Sequence, residues 1–160
     1  MFRQLVSIFG FVVLSFAAPA LSAILSISGP GDWYRTLNKP WFNPPDWIFG
    51  PVWTLLYLAM GIAAALVWRK GAGPALAVAL GLFLLQLVLN ALWTPLFFGM
   101  QQPGLALIDI LALWLAIAAT TLAFLPISRL AAALFFPYWL WVSFASMLNA
   151  AIWWMNRVQS

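Results

Sequence analysis

The chain has 160 residues, of which 66% are hydrophobic and only 6% are charged. A soluble domain carries about 25% charged residues, so this composition excludes a water-exposed globular protein and predicts an integral membrane protein. The net charge of +4 comes from scattered basic residues, which excludes the basic patch of a nucleic-acid-binding protein. The sequence contains no Cys, His or Glu, which excludes disulfides, His-based acid–base catalysis and a metal site with the usual zinc ligands.

Five apolar segments are long enough to cross a bilayer, which takes about 20 residues in a helix. We therefore predict an all-α fold: one domain, residues 1–160, built as a bundle of five transmembrane helices. The predicted helices are residues 5–27, 46–68, 74–98, 104–125 and 128–155. Pro51 and Pro95 lie inside two of them and should kink them.

The amino-terminal segment also resembles a secretory signal peptide. Arg3 precedes an apolar run, and residues 20–23 (Ala-Leu-Ser-Ala) resemble a cleavage site. Because the run stays apolar through Ile27, which is long enough to span, we favour a first helix that is retained.

The joint between the first two helices is the long one, residues 28–45, whereas the other joints are short. A long loop in an otherwise compact domain is usually functional. Its aromatic residues, Trp33, Tyr34, Trp41 and Phe42, lead us to predict a lid over the mouth of the bundle. The alternative is a loop that is merely anchored at the membrane interface.

Charge at the helix ends indicates the orientation in the membrane. One side carries four basic residues and no acid: Arg3, Arg69, Lys70 and Arg129. The other side carries three basic residues and two acids: Arg35, Lys39, Arg157, Asp32 and Asp46. The positive-inside rule then places the amino terminus in the cytoplasm, which favours a bacterial inner membrane.

Three predicted helices each carry a face of aromatic, amide and small residues. The sets are Phe49, Trp53 and Tyr57; Gln86, Asn90 and Trp93; and Trp141, Ala145 and Asn149. Spacings of three and four residues place the members of each set on one helical face. Two interpretations are open: polar contacts that hold the bundle together, or the lining of a ligand cavity.

Asp109 is the acid inside a predicted helix, near the boundary on the loop side. It is either a charge that snorkels from the helix end or a functional group paired with Arg35 or Lys39.

Small residues recur at a spacing of four at Gly73, Ala77 and Gly81. This pattern permits close helix approach, so it predicts either a homodimer face on the third helix or tight packing within the bundle.

Four stretches occur in order that are similar to signature sequences of the translocator protein family, also called TspO/MBR, the tryptophan-rich sensory proteins or the peripheral benzodiazepine receptor. They read DWYRTLNKPWFNPPDW, PVWTLLY, LNALWTPLFFG and FPYWLWVSFASMLN, and the resemblance covers about residues 5–156. It implies a five-helix bundle, often dimeric, with a cavity under the first loop. It also implies a receptor or sensor that binds porphyrins and related hydrophobic ligands, sequesters or transports them, and requires no cofactor.

The resemblance leaves alternatives for function and location. Some bacterial members are reported to degrade protoporphyrin in light through two tryptophans, which match Trp53 and Trp141, so these residues are catalytic if the protein is an enzyme. An ion-coupled transporter is a further alternative, although no inverted repeat is evident. Some bacterial relatives have been placed in the outer membrane, which is the alternative to the inner one.

We assign eleven residues to the ligand site. They are Trp33, Asn38, Trp41, Phe49, Trp53, Tyr57, Asn90, Trp93, Trp141, Ala145 and Asn149. A tetrapyrrole would stack on the tryptophan rings, and its propionates are expected at Arg35 or Lys39. The sterol motif that the resemblance places on the fifth helix is altered, because Ala150 and Ala151 replace its Tyr and Trp154 replaces its basic residue.

Overall fold

The computed structural model describes residues 2–25 and 31–157, which are almost entirely helical. Five long helices are apolar enough to cross a membrane, so the predicted all-α bundle is confirmed. They are α1 (Phe2–Leu25), α3 (Phe49–Lys70), α4 (Gly73–Thr94), α5 (Pro103–Phe124) and α6 (Arg129–Asn156). The predicted end of the first helix at residues 26–27, the start of the loop at 28–30 and residues 158–160 lie outside the described residues.

The loop contains a short helix, α2 (Gly31–Thr36), that the sequence analysis had not predicted. The five long helices form a ring in the order α1, α3, α6, α5, α4 and back to α1, and α3 also contacts α4 across it. Short joints place α5 beside both α4 and α6, as expected for antiparallel neighbours in a bundle.

One end of the ring is packed solid by aromatic residues from three helices. Phe124 lies 5.1 Å from Phe135 between ring centroids, and Phe83 lies 6.4 Å from Phe135. All three side chains are fully buried. Aromatic rings at these separations favour edge-to-face and offset contacts, so this cluster joins α4, α5 and α6 at the end that carries the shortest joints.

The two prolines expected to kink helices behave differently. Pro51 lies in the first turn of α3, where its missing N–H removes no hydrogen bond within the helix. Pro95 begins a π-helical turn, Pro95–Gly99, in which the Met100 N–H donates to the Pro95 carbonyl at 2.7 Å. The wider turn extends α4 and places Phe97 in the interior.

The stripe of small residues on α4 faces outward. Gly73, Ala77 and Gly81 are all exposed, and a Cβ atom at Gly81 would meet nothing within 4 Å. The stripe therefore does not serve packing within this chain at Gly81, and the homodimer through it stays a prediction.

α1 and α3 approach each other closely at Gly61. An added Cβ atom at this position would lie 2.5 Å from the Val12 Cα atom, which is backbone and cannot move aside as a side chain does. Glycine is therefore required where the two helices cross.

We predict that Gly61→Val lowers the free energy of unfolding by about 1–3 kcal/mol, because the larger side chain pushes α1 away from α3. Thermal unfolding in a neutral detergent measures this loss. Gly50→Val is the matched control on the same helix, since a Cβ atom there meets nothing within 4 Å. Equal losses in the two variants would contradict the proposed close contact.

Candidate functional site

A cavity of about 430 Å³ lies in the half of the bundle nearest the loop. All five long helices contribute to its lining, together with four residues outside them: Tyr34, Asp46, and Phe97 and Phe98 of the π-helical turn. Eight of the eleven residues assigned from the sequence line it: Phe49, Trp53, Tyr57, Asn90, Trp93, Trp141, Ala145 and Asn149. The three helical faces therefore converge on one space.

Flat aromatic surfaces form two walls of this cavity. Trp53 stacks on Tyr57 along α3, with centroids 5.5 Å apart and planes 26° from parallel. Trp93 stacks in the same way on Phe97, at 5.0 Å and 24°. Trp141 meets these walls from α6, in an edge-to-face contact with Phe49 at 5.8 Å between ring centroids. Stacked pairs present broad π faces, which suit a flat conjugated ligand.

A chain of buried hydrogen bonds crosses from α3 through α4 to α6. The Tyr57 Oη donates to Asn90 Oδ1 at 2.6 Å, and Asn90 Nδ2 donates to the Tyr138 Oη at 3.1 Å. The Tyr138 hydroxyl in turn donates to Gln86 Oε1 at 2.9 Å. Asn90 thus serves both interpretations of its helical face: it lines the cavity, and it joins three helices.

Asn149 fixes a second part of the wall. Its Oδ1 accepts from the Trp93 Nε1 at 2.9 Å, and its Nδ2 donates to the Pro103 carbonyl at 2.8 Å. This side chain therefore orients the Trp93 ring and joins α6 to α4 and α5. By contrast, the Trp141 Nε1 is buried and has no hydrogen-bond partner among the described residues. Trp141 lines the cavity, so its N–H is an unused donor beside the ligand space.

The three loop residues assigned to the site do not line the cavity in the described structure. Trp33 packs against Phe97 at 5.9 Å between centroids, and the Trp41 side chain is 95% exposed. The loop residue in the lining is Tyr34, which packs on Phe98 at 5.4 Å; it is an aromatic of the predicted lid but was not among the eleven assigned site residues. Its position directly after Trp33 in an aromatic pair was the available signal.

Asn38 holds the loop to the end of α6 through its backbone. Its N–H donates to Asn156 Oδ1 at 2.9 Å, and its carbonyl accepts from Asn156 Nδ2 at 2.9 Å. One side-chain amide thereby satisfies both main-chain groups of Asn38, as a neighbouring strand would. We call this pair the loop clasp.

Charge at the cavity differs from the expected arrangement. Among the described lining residues Asp46 is the charged one, and none is basic. Arg35 is exposed, and the Lys39 ammonium lies 4.5 Å from the centroid of the Tyr34 ring. Burial raises the pKa of the Tyr34 hydroxyl, and the nearby Asp46 carboxylate raises it further. The negative charge of Asp46 therefore acts on the Tyr34 hydroxyl at the cavity mouth.

Asp109 does not form the ion pair considered for it. Its side chain is only 8% exposed, and its Oδ2 atom has no hydrogen-bond partner among the described residues. Asp109 does not line the cavity, and neither do Arg35 and Lys39.

Comparisons with known proteins agree on one family. A profile of the TspO/MBR family matches residues 11–155. The chain is 44% identical over 142 residues to the Translocator protein of Homo sapiens, which covers 85% of this chain and 84% of that protein. It is 48% identical over 132 residues to the Tryptophan-rich protein TspO of Chlorobaculum tepidum, covering 79% and 82%. It is 44% identical over 133 residues to the Tryptophan-rich sensory protein of Cereibacter sphaeroides, covering 82% and 80%.

We predict that Asn156→Ala releases the loop clasp, because both hydrogen bonds to Asn38 are lost. Each is worth about 1 kcal/mol, so tryptic cleavage after Arg35 should become about thirtyfold faster in detergent. Gln102→Ala, on the same side of the bundle, is the control and should leave the rate unchanged. Unaltered cleavage in Asn156→Ala would show that the aromatic contacts alone hold the loop.

Proposed function

The chain belongs to the TspO/MBR family of multi-pass membrane proteins, and on that basis we propose that it is a receptor that binds porphyrins and related hydrophobic ligands in this cavity. The observation that carries the proposal is the convergence of the three aromatic faces on one space. Binding of this kind would allow the protein to sequester or transport a tetrapyrrole.

The dimensions and surfaces of the cavity support such a ligand. Small-molecule sites have volumes of about 300–1,000 Å³ and are mostly apolar with a few placed polar groups. At about 430 Å³, this cavity falls within that range. A conjugated macrocycle can stack on the Trp53 and Trp93 walls, and the unpaired Trp141 N–H can donate to an acceptor on the ligand.

Light-dependent oxidative degradation of bound protoporphyrin IX is the second function to test. It is favoured by one observation: Trp53 and Trp141, the two residues that the family resemblance links to this chemistry, line the same cavity. Ion-coupled transport has less support, because Asp109, the acid buried in a transmembrane helix, lies outside the lining.

We also propose a bacterial inner membrane as the location, with the amino terminus in the cytoplasm. α3 ends in Arg69 and Lys70 and α6 begins at Arg129, all on the amino-terminal side, whereas the loop side mixes basic residues with Asp32 and Asp46. The homodimer through the exposed small residues of α4 is part of the same proposal.

We predict that protoporphyrin IX quenches the tryptophan fluorescence of the detergent-purified protein saturably in the dark. Trp53→Phe and Trp141→Phe should each weaken binding about fivefold, because each removes stacking area or an N–H donor. Trp68→Phe is the control on α3, since Trp68 is 53% exposed and does not line the cavity. An absence of saturable quenching would refute the proposed ligand class.

Illumination of the saturated complex separates binding from chemistry. If the protein is an enzyme, the absorption spectrum of the bound porphyrin should change with time in the unaltered protein. The change should stop in a Trp53→Phe/Trp141→Phe double variant under conditions that still saturate it with ligand. A spectrum that decays equally in both proteins would attribute the loss to free photochemistry and leave binding as the function.

A further inference from the structure

Asp46 occupies an unusual place for an acid. It begins the 3₁₀ turn that leads into α3, three residues before Phe49, and both residues line the cavity. The rest of the described lining is aromatic, aliphatic or uncharged polar, so the one formal charge that a ligand meets there is negative.

The neighbouring charges do not neutralise Asp46 by contact. No ion pair with its carboxylate is present among the described residues, and the ammonium of Lys39 makes its contacts elsewhere. The Lys39 Nζ donates to the Leu37 carbonyl at 3.4 Å and lies over the Tyr34 ring. Arg35 is exposed on α2, outside the lining. The mouth therefore presents a carboxylate inside and ammonium and guanidinium groups outside.

The influence of Asp46 already reaches the lining. Tyr34 is a lining residue, and the Asp46 carboxylate is one of the causes that raise the pKa of its hydroxyl. Because the Lys39 ammonium lies over the Tyr34 ring, the field of Asp46 dominates for a ligand group placed next to the Asp46 carboxylate itself. A carboxylate placed there is repelled, whereas an ammonium or N–H group gains a charge-assisted hydrogen bond.

We propose that Asp46 makes the cavity select ligands by charge. Flat aromatic ligands whose mouth-facing end is cationic or a neutral hydrogen-bond donor bind more tightly than the same ring system carrying carboxylates. Protoporphyrin IX, a dicarboxylate, then binds with its propionates directed away from Asp46, towards Lys39 and Arg35. The inference rests on the proposed function and deepens it by naming the ligand chemistry.

The expected size of the charge selectivity follows from the exposure of Asp46 to water. Asp46 is at the mouth and accessible to water, so its interaction with a ligand charge is that of a partly screened pair. We expect a change in relative affinity of about fivefold at low ionic strength. Because such interactions are screened within about 10 Å at 0.1 M salt, the discrimination should shrink as salt is added.

Three ligands with one ring system test the proposal: protoporphyrin IX, its dimethyl ester, and its diamide with ethylenediamine, which carries two ammonium groups. Their affinities are measured by tryptophan quenching in the dark in a neutral detergent. The unaltered protein should bind the diammonium ligand most tightly and the dicarboxylate least. Asp46→Asn, which keeps the shape of the side chain, should reduce the ratio of these two affinities about fivefold.

Asp32→Asn is the matched control. Asp32 is an exposed acid of α2 on the same side of the bundle, it lies outside the lining, and its loss changes the net charge equally. An unchanged affinity ratio in Asp46→Asn, or an equal change in Asp32→Asn, would overturn the assignment of selectivity to Asp46. Saturable binding of none of the three ligands would overturn the proposed function itself, which is a different result.

Discussion

A polar group inside a bilayer must find its partner within the protein, and this requirement organises the centre of the bundle. The buried hydrogen bonds from Tyr57 through Asn90 and Tyr138 to Gln86 meet it by joining α3, α4 and α6. Two tyrosines and two amides are thereby linked by three hydrogen bonds, and Gln86 Nε2 is the buried atom of this group that has no partner among the described residues. Hydrogen bonds of hydroxyl and amide groups are directional. This row of hydrogen bonds therefore also fixes the rotation of each helix about its axis, which apolar packing alone specifies less tightly.

The cavity follows from what these contacts leave open. Towards the short joints, Phe83, Phe124 and Phe135 fill the interior. Towards the loop, the large rings of Trp53 and Trp93 stack on aromatic neighbours of their own helices and lie along the walls. Across the bundle, Trp53 meets the Tyr138 ring edge-on at 6.1 Å between centroids, and the Trp93 N–H donates to Asn149, so both rings stay along the walls. The same aromatic composition therefore gives a solid core at one end and a lined space at the other.

A ligand can interact with the few polar groups of the lining that make no hydrogen bond or ion pair within the described protein. Asn90 and Asn149, which look like ligand-binding amides in the sequence, are engaged in holding helices and in orienting Trp93. The Trp141 N–H and the Asp46 carboxylate keep capacity for a ligand. A donor on one wall and an acid at the mouth give an otherwise apolar cavity a direction, so a ligand with distinct ends has a preferred orientation.

The sequence by itself determined the membrane character, the five spans, the family and the helical faces, because apolar length and a 3.6-residue period need no knowledge of partners. Eight of eleven assigned site residues accordingly line the cavity. The tertiary structure alone decided the loop, where no period relates neighbouring side chains: Tyr34 lines the cavity, whereas Asn38 binds Asn156, 118 residues away, and Trp41 stays exposed. It also decided which charge faces the ligand. The expected propionates drew attention to Arg35 and Lys39, but a cation–π contact and exposure keep both out of the lining, and Asp46 enters it because it begins the turn that leads into α3.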